Sequence, residues 1–597
     1  MQHFNLKDMK FKHSKEIARI FLLGLLVLSI GSCKKDDFLN VPGTSLLTSK
    51  TTFETQANAD LFVNDIYSRL PDGNNGTDRT LEGWTDNNNT TASGHEGQAV
   101  IRSGALSAGN STNGPDNQLG WQRNYENIRR CNVFLKEAEA NKSTYDATWY
   151  AQRVAEVRTL RAFFYSILFR NYGGLPLITT PLTNLDGSDI FYARATNDQT
   201  VAFIEADCDA AAAVLPATQT GNGNVGRITK GAALMIKGDV QLFAASPLAN
   251  KTNDLAKWAK AAATFKSIID SKVYSLFKTE KSGPSTGTGP LAINSITGSG
   301  TSSSAFRDQF LAINNWNSET ILARGYALPG RGHRREGFMG PVKVNGGTQA
   351  WGGFSPTQNL VDDYSMDNGK PITDPTSGYN PQNPYKNRES RFEQSIIYDG
   401  SYWQGDVMKT RLGGDNEIDI GSKGDISNTG YYARKTLDES IKGQASFAAP
   451  NISNYIFYRF AETLLSYAEA QNEAVGPDAS VYEAVRMVRE RVLLPALPAG
   501  LSQANMRTAI RRERRVELAF EDRRWYDIRR WEITAKGEAV LTKPMYGMLI
   551  TPTNNGNTLT YTPVAGFQNK FSDYQNWLPI PADVINANPK LVQNPGY

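Results

Sequence analysis

The chain has 597 residues and a formal net charge of +4, from 64 Lys and Arg against 60 Asp and Glu. Residues 1–32 hold five of these bases and two of these acids, so the rest of the chain carries a net charge of +1. A nucleic-acid-binding protein needs a strong basic field, and a near-neutral chain argues against that class. The hydrophobic share of 40% and the charged share of 21% are those of an ordinary globular protein.

The first element along the chain is a predicted secretion signal. A basic segment precedes the apolar run at residues 20–30, which as a helix rises about 16 Å and is too short for a bilayer core of about 30 Å. Small residues and Cys33 follow, which is typical of a signal peptide at residues 1–32. The arrangement resembles a bacterial lipoprotein signal, which implies a lipidated Cys33 and a tether at 33–49. An ordinary signal with an incidental Cys is the alternative.

Helical periodicity dominates much of the remaining chain. The longest periodic stretch, 146–171, is followed by a Gly-Gly stop and then by Pro176. Antiparallel helix pairs of this size are typical of tetratricopeptide-like repeats. The predicted helices span residues 51–69, 119–140, 146–171, 197–214, 229–245, 255–271, 457–474, 478–493 and 503–532.

The middle of the chain has a different composition. It is rich in Gly, Ser, Thr, Asn and Pro, and residues 281–304 are nearly low-complexity. A loop region of this length is usually functional or disordered, and its scattered Trp and Tyr residues favour an ordered, functional region. We therefore expect a helical part at 50–275, a loop-rich variable region at 276–450 that binds the ligand, and a second helical part at 451–597.

Motifs spread along the chain resemble those of the SusD/RagB family of outer-membrane nutrient-binding lipoproteins. They are DDFL at 36–39, LRAFFY at 160–165, YGGLPL at 172–177, PTQ at 356–358, DNG at 367–369, RFAETLL at 459–465, YAEA at 467–470, ELAFE at 517–521, RRWYDIRRW at 523–531, LPIP at 578–581 and QNPGY at 593–597. The resemblance implies a mainly α, SusD-like fold with four tetratricopeptide-like helix pairs and a large loop-rich variable region. It also implies a partner, a SusC-like TonB-dependent outer-membrane barrel, over which the lipoprotein sits as a lid.

The Arg-rich stretch at 511–531 is predicted to be a structural helix. Its arginines alternate with acids, and residues three or four positions apart lie on one helix face and can pair. The predicted pairs are Glu517 with Arg514 and Glu521 with Arg524. An ion-paired helix is therefore favoured over a nucleic-acid site.

Little in the sequence predicts catalysis. It contains no G-x-S-x-G motif and no phosphate loop, and His95 and His333 lack a metal-ligand spacing. A glycosidase pair of carboxylates stays open because acids are plentiful, but the resembled family is non-catalytic, so we expect no enzyme. Cys131 and Cys208 could pair in an oxidising compartment, although two free, buried thiols are expected.

No cofactor is expected. One acidic loop offers oxygen ligands that suit Ca²⁺, but it lacks the spacing of a calcium-binding loop, and a solvated turn is the favoured interpretation. Its acids are Asp415, Glu417, Asp419 and Asp425.

The candidate ligand-binding residues are aromatic rings among polar side chains. A flat ring can stack on the apolar C–H face of a sugar while amides, carboxylates and guanidinium groups bond its hydroxyls. Residues 79–89 and 314–317 both combine a Trp with dense polar groups. Loop packing is the alternative for each ring. The predicted ligand-binding residues are Arg79, Trp84, Asp86, Asn87, Asn88, Asn315, Trp316, Trp351, Tyr402 and Trp403.

The sequence therefore predicts a surface-exposed, lipid-anchored outer-membrane protein that binds a glycan and delivers it to the barrel. Near-neutrality fits an uncharged, hydroxyl-rich ligand. Peptide binding by the same fold and glycoside hydrolysis are the alternatives. The change Trp84→Ala is predicted to weaken ligand binding with little effect on the melting temperature.

Overall fold

A computed structural model of the protein describes residues 49–74, 81–89, 100–110, 120–182, 189–277, 305–420 and 426–597. The chain divides into two compact units, Met1–Ala59 and Asp60–Tyr597. Helix Ser49–Phe53 belongs to the first unit, and Cys33 lies outside the described residues. Within the described ranges, the helices are too short or too polar to cross a membrane.

The structure is mainly α, as predicted. The longer helices are α1 (Gln56–Ser68), α2 (Trp121–Ala140), α3 (Ala147–Tyr172), α4 (Asn197–Ala212), α5 (Lys230–Ala245), α6 (Leu255–Asp270), α7 (Phe460–Val475), α8 (Ala479–Arg491), α9 (Gln503–Glu517) and α10 (Arg524–Arg530). Shorter helices span Ala305–Asp308, Arg335–Met339, Gln358–Val361, Ser390–Ser395 and Ala582–Ala587. Most predicted helices agree with these bounds to within a few residues.

Side chains just before the helices explain where several of them begin. An oxygen at the N-cap accepts a hydrogen bond from a backbone N–H that the helix itself leaves without a partner. Asp146 accepts from the N–H of Trp149 before α3, and Thr196 forms a reciprocal capping box with Gln199 before α4. Gly173 ends α3 with a φ of 79°, a conformation that glycine adopts without strain.

The helices pack in sequence, each on the next, from α2 to α6. Helix α6 then packs against α7, which comes after the loop-rich middle of the chain, and α7 also packs against α8 and α9. The two helical parts therefore form one continuous scaffold. Cys131 on α2 and Cys208 on α4 are free and buried, as predicted.

Antiparallel strand pairs, most of them only two residues long, occupy regions outside the longer helices. The strands are β1 (Asn88–Asn89), β2 (Thr320–Arg324), β3 (Lys343–Val344), β4 (Gly347–Thr348), β5 (Ser355–Pro356), β6 (Ile396–Ile397), β7 (Tyr402–Trp403), β8 (Asp406–Val407), β9 (Tyr432–Ala433), β10 (Tyr455–Arg459), β11 (Met545–Thr553) and β12 (Thr558–Phe567). The pairs are β1 with β5, β2 with β10, β3 with β4, β6 with β9, β7 with β8, and β11 with β12. The loop-rich part contributes Leu360, Tyr364, Phe392 and Tyr432 to an apolar core that also contains Phe520 and Met548 of the C-terminal part.

The predicted helix 503–532 is two helices, α9 and α10, separated by an irregular turn. Phe520 and Asp522 have φ values of 66° and 60°, a left-handed conformation that an α-helix cannot continue through. The Asp522 carboxylate holds this turn in place by accepting hydrogen bonds from the N–H groups of Leu81 and Glu82, at 2.6 and 3.3 Å. The prediction missed the break because it depends on a partner far away in the sequence.

The predicted ion pairs within this stretch were also wrong. Glu517 is fully buried and pairs with arginines of other elements: Arg391 at 2.9 Å, Arg459 at 2.7 Å, and Arg491. Burial raises the pKa of Glu517, but these cations outweigh it and hold the pKa well below its usual value. Glu517 therefore joins separate elements of the fold. A pair within one helix does occur elsewhere in the stretch, between Asp527 and Arg530 of α10 at 2.8 Å.

Candidate functional site

An open pocket of about 470 Å³ lies where β2 and the loop after it meet the C-terminal end of α1 and the loop before α5. We call it the Trp316 pocket. Its lining combines one indole ring, two phenols and several charged or amide groups. The lining residues are Asn64, Tyr67, Ser68, Leu70, Asp72, Gly223, Val225, Gly226, Arg227, Trp316, Ala323, Arg324, Gly325, Tyr326, Gly330, Arg331 and Gly332.

The Trp316 indole is half-buried and is held by close packing against glycine. A Cβ on Gly226 would lie 2.6 Å from the ring, and one on Gly325 would lie 3.1 Å from it. Any larger residue at Gly226 would displace the indole, because real Cβ atoms do not approach so closely. The ring also packs against the small apolar cluster that contains Phe310. Trp316 therefore offers a positioned aromatic surface to the pocket.

Asn315 positions its neighbour Trp316 and binds protein groups with its own side chain. Its Nδ2 donates to the carbonyl of Ile452 at 2.8 Å, and its Oδ1 accepts from the N–H of Asn454 at 2.8 Å. These bonds anchor the segment to the chain just before β10. They are consistent with the positive φ of 60° at Trp316, which a bulky residue adopts only when its surroundings hold it.

Polar groups on one wall of the pocket hold each other in fixed orientations. The Tyr326 hydroxyl donates to the Asp72 carboxylate, and burial together with that carboxylate raises the tyrosine pKa well above its usual value. Arg324 donates to the carbonyls of Ser68, at 3.0 Å, and Leu70, and its guanidinium lies 3.7 Å from Asp72. The wall therefore needs little rearrangement to present hydrogen-bonding groups.

Arg227 fixes a second part of the lining, which includes Asn64 and Tyr67. Its guanidinium pairs with the buried Glu156 at 2.9 Å and donates to Asn64 Oδ1 at 3.0 Å. The Tyr67 hydroxyl donates to the same Glu156 carboxylate at 2.8 Å, and burial, followed by that negative charge, raises the tyrosine pKa. Most of Arg227 is buried, so the arginine acts mainly as a structural support.

The structure places the described predicted residues of the 79–89 stretch, Trp84, Asp86, Asn87 and Asn88, in the interior. Trp84 is 4% exposed and packs edge-on against Trp525, with ring centroids 5.5 Å apart. Asp86 pairs with Arg515 at 2.7 Å and with Arg524 at 2.8 Å. Burial raises the pKa of Asp86, but the two arginines more than offset this and lower it to about 2.

The two asparagines that follow are also engaged by the protein. Asn87 donates to Glu82 at 3.0 Å and accepts from Arg515 at 2.9 Å, and Asn88 is paired opposite Pro356 in the β1–β5 ladder. None of these side chains lines the Trp316 pocket. Arg79 lies outside the described residues.

The remaining predicted rings lie in other places. Trp351 is 46% exposed and forms a surface cluster with Phe338 and Phe447, at centroid distances of 5.2 and 5.8 Å. Tyr402 is 39% exposed, whereas the adjacent Trp403 is buried in the core of the loop-rich part. Trp316 is thus the one predicted ring that lines the described part of the pocket.

The acidic loop has ordinary loop contacts in its described part. Glu417 accepts from the N–H of Gly413 at 2.7 Å, and the N–H of Asp419 donates to the carbonyl of Ser427 at 3.0 Å. Asp425 lies outside the described residues. Across the described ranges, no group of three or more His, Cys, Asp or Glu residues is arranged to hold a metal ion.

Two family models match successive parts of the chain. The SusD family model, SusD_RagB, matches residues 318–597, and a SusD-like model described as "Starch-binding associating with outer membrane" matches residues 37–238. The chain belongs to the SusD/RagB family. This confirms the resemblance drawn from the short motifs.

Individual relatives and solved structures agree with this assignment. SusD-like protein P25 of Formosa agariphila is 22% identical over 609 residues, which cover 98% of this chain and 100% of the relative. SusD-like protein P2 of the same organism is 35% identical, but over 152 residues that span only 24% of this chain and 26% of that protein.

A SusD-like protein from Bacteroides fragilis has a TM-score of 0.74 at 26% identity and covers 92% of this chain and 98% of its own. A SusD-like carbohydrate binding protein from the same species has a TM-score of 0.69 at 23% identity, with coverages of 91% and 100%. These superpositions confirm the SusD-like fold.

Proposed function

We propose that the protein is a surface-exposed outer-membrane lipoprotein that binds oligosaccharides or polysaccharides in the Trp316 pocket and delivers them to a SusC-like TonB-dependent barrel. The observation that carries the proposal is a positioned indole face beside polar groups that the protein already holds in place. Two comparisons support the proposal. The description of the family model that matches residues 37–238 names starch binding and the outer membrane, and one of the similar Bacteroides fragilis structures is that of a carbohydrate binding protein.

The pocket has the chemistry that a sugar requires. The Trp316 ring can stack on an apolar C–H face, where the contact replaces water on both surfaces. Tyr326, Asp72 and Asn64 offer donors and acceptors at the same pocket. Because these groups are pre-oriented, little conformational entropy is lost on binding.

Binding fits the described lining better than hydrolysis does. Glycoside hydrolysis usually needs two carboxyl groups on either side of the scissile bond. Asp72 is the one carboxylate among the described lining residues. It accepts a hydrogen bond from Tyr326 and lies near the Arg324 guanidinium. The pocket therefore supports a binding role.

Calorimetry on purified full-length protein with a panel of neutral and acidic oligosaccharides tests the proposal. We expect heat of binding with at least one glycan and a roughly 30-fold weaker Kd in Trp316→Ala, because a central aromatic contact contributes about 2 kcal/mol. Trp351→Ala, which removes an equally large exposed ring outside the pocket, is the matched control and should bind as the parent does.

Other outcomes would redirect the proposal. Heat with a peptide library and none with glycans would favour the peptide-binding alternative. Release of shorter sugars from a labelled polysaccharide would establish a glycoside hydrolase. Equal glycan affinity in Trp316→Ala and the parent would remove this pocket from the binding site.

The anchor and the partner are parts of the same proposal. A lipid on Cys33 would hold the protein at the membrane by burying its acyl chains. Metabolic labelling with a fatty acid should mark the parent and not Cys33→Ala. Protease treatment of intact cells should remove an exterior epitope, and pull-down of the native protein should recover a TonB-dependent barrel. Repeated recovery without such a barrel would contradict the partnership.

A further inference from the structure

The Trp316 pocket has an excess of positive charge among its described lining residues. Three arginines, Arg227, Arg324 and Arg331, line it together with one carboxylate, Asp72. A neutral sugar needs no such excess. Which of these charges the protein itself neutralises therefore decides what the pocket can attract.

Two of the three arginines are already compensated. Arg227 pairs with Glu156 and is mostly buried. Arg324 faces Asp72 at 3.7 Å and gives hydrogen bonds to two backbone carbonyls of the segment after α1. These two guanidinium groups hold the walls together, and their charges are balanced within the protein.

Arg331 has no such balance. Its backbone closes a tight loop by exchanging two hydrogen bonds with Ala327, each of 3.1 Å, and Gly330 makes the turn with a φ of 87°. The residue is exposed, and its guanidinium has no hydrogen-bonding or ion-pair partner among the described residues. A hydrogen-bonded loop thus places a cation that has no partner among the described residues at the same pocket that holds the Trp316 ring.

We propose that the pocket selects acidic glycans, whose carboxylate or sulfate group pairs with Arg331 while a sugar ring stacks on Trp316. This rests on the proposed glycan-binding function and specifies its ligand class. A planar guanidinium binds carboxylate and sulfate oxygens in a bidentate manner. The preference also differs from the uncharged ligand that the near-neutral composition of the whole chain favoured, because local charge in a pocket is independent of net charge.

The test compares each acidic glycan with its own neutral form. One pair is an oligogalacturonate and the same oligosaccharide after reduction of its carboxyl groups to alcohols, and the other is a sulfated oligogalactan and its desulfated form. We expect at least one acidic member to bind about 10-fold more tightly than its neutral partner, the size of one charge-assisted hydrogen bond. Whichever pair shows the difference identifies carboxylate or sulfate as the recognised group.

Two arginine variants and a change in ionic strength test whether Arg331 causes the preference for the acidic glycan. Arg331→Gln should remove most of the difference within the pair, whereas Arg334→Gln, the same charge change on an exposed arginine that lies over Phe447 outside the pocket, should preserve it. Raising the ionic strength from about 0.02 to 0.5 M should weaken the acidic member selectively, since salt screens exposed charges.

The failures of this inference and of the proposed function are distinguishable. The parent could bind neutral glycans, lose affinity for them in Trp316→Ala, and bind the acidic and neutralised forms equally. In that case the acidic preference is wrong and the glycan-binding function stands. If Arg334→Gln removes the preference as fully as Arg331→Gln does, the assignment to Arg331 is wrong. If no glycan of either kind binds, both the inference and the function are overturned.

Discussion

Two stretches of this chain share a composition and have different environments. Trp84 is followed by Thr, Asp and two Asn at 85–88, and Trp316 lies among three Asn at 314–317. In the first, Asp86 binds Arg515 and Arg524, and the whole stretch is buried. In the second, the amides bind mainly backbone groups, and the Trp lines an open pocket. A charged partner elsewhere in the chain, rather than local polarity, can therefore draw such a stretch into the interior.

The largest expected effect comes from removing the charge that holds the first stretch inside. Asp86→Ala leaves the buried Arg524 without its carboxylate partner, whereas Arg515 still pairs with Asp363 at 2.6 Å. An uncompensated buried charge costs about 3–5 kcal/mol. Urea unfolding should show this loss in the free energy of unfolding. The matched change Asn315→Ala removes only neutral hydrogen bonds and should cost about 1–2 kcal/mol. Similar losses in the two variants would contradict the distinction between the stretches.

Trp84→Ala extends the comparison to the two Trp rings, the buried Trp84 and the pocket-lining Trp316. Trp84 is packed against Trp525 in the interior, and truncating a buried aromatic costs about 3–5 kcal/mol. We now expect a clear fall in the melting temperature and no change in glycan affinity for the folded fraction, the reverse of the expectation from sequence alone. Thermal melting and calorimetry on one sample measure both quantities. Unchanged stability with weakened binding would restore Trp84 to the binding site.

Sequence alone could predict much of the scaffold because helices depend on local periodicity. Helix α3 was expected at 146–171 and spans Ala147–Tyr172. The α9–α10 break and the β11–β12 hairpin were missed, the first because Asp522 acts on a segment distant in sequence. The same limit applies to the pocket. Trp316 stands out by local composition, but Tyr326 meets Asp72 across 254 residues, and no local signal marks that pair.

The smallest expected effect is a pH dependence in the buried stretch. Burial raises the pKa of Glu82 to about 8, the nearby Asp522 carboxylate adds to the increase, and the hydrogen bond from Asn87 opposes it. Between the usual value of 4.5 and about 8 the folded protein holds a proton that the unfolded chain releases. The protonated Glu82 therefore adds its full contribution to the free energy of unfolding below pH 4.5, and this contribution is lost as the pH rises through 8.

Glu82→Gln should flatten this dependence, because a neutral amide cannot release the proton. As the pH rises from 5 to 8.5, we expect the free energy of unfolding of the variant to increase relative to that of the parent by on the order of a few kcal/mol. Urea unfolding at each pH measures this difference. Glu490→Gln, an exchange at an exposed carboxylate, should leave the slope as it is in the parent. Glu82 is not among the described residues that line the Trp316 pocket, so glycan affinity should be the same in both variants. A slope that persists in Glu82→Gln would show that another group, with Asp522 the first candidate, carries the titration.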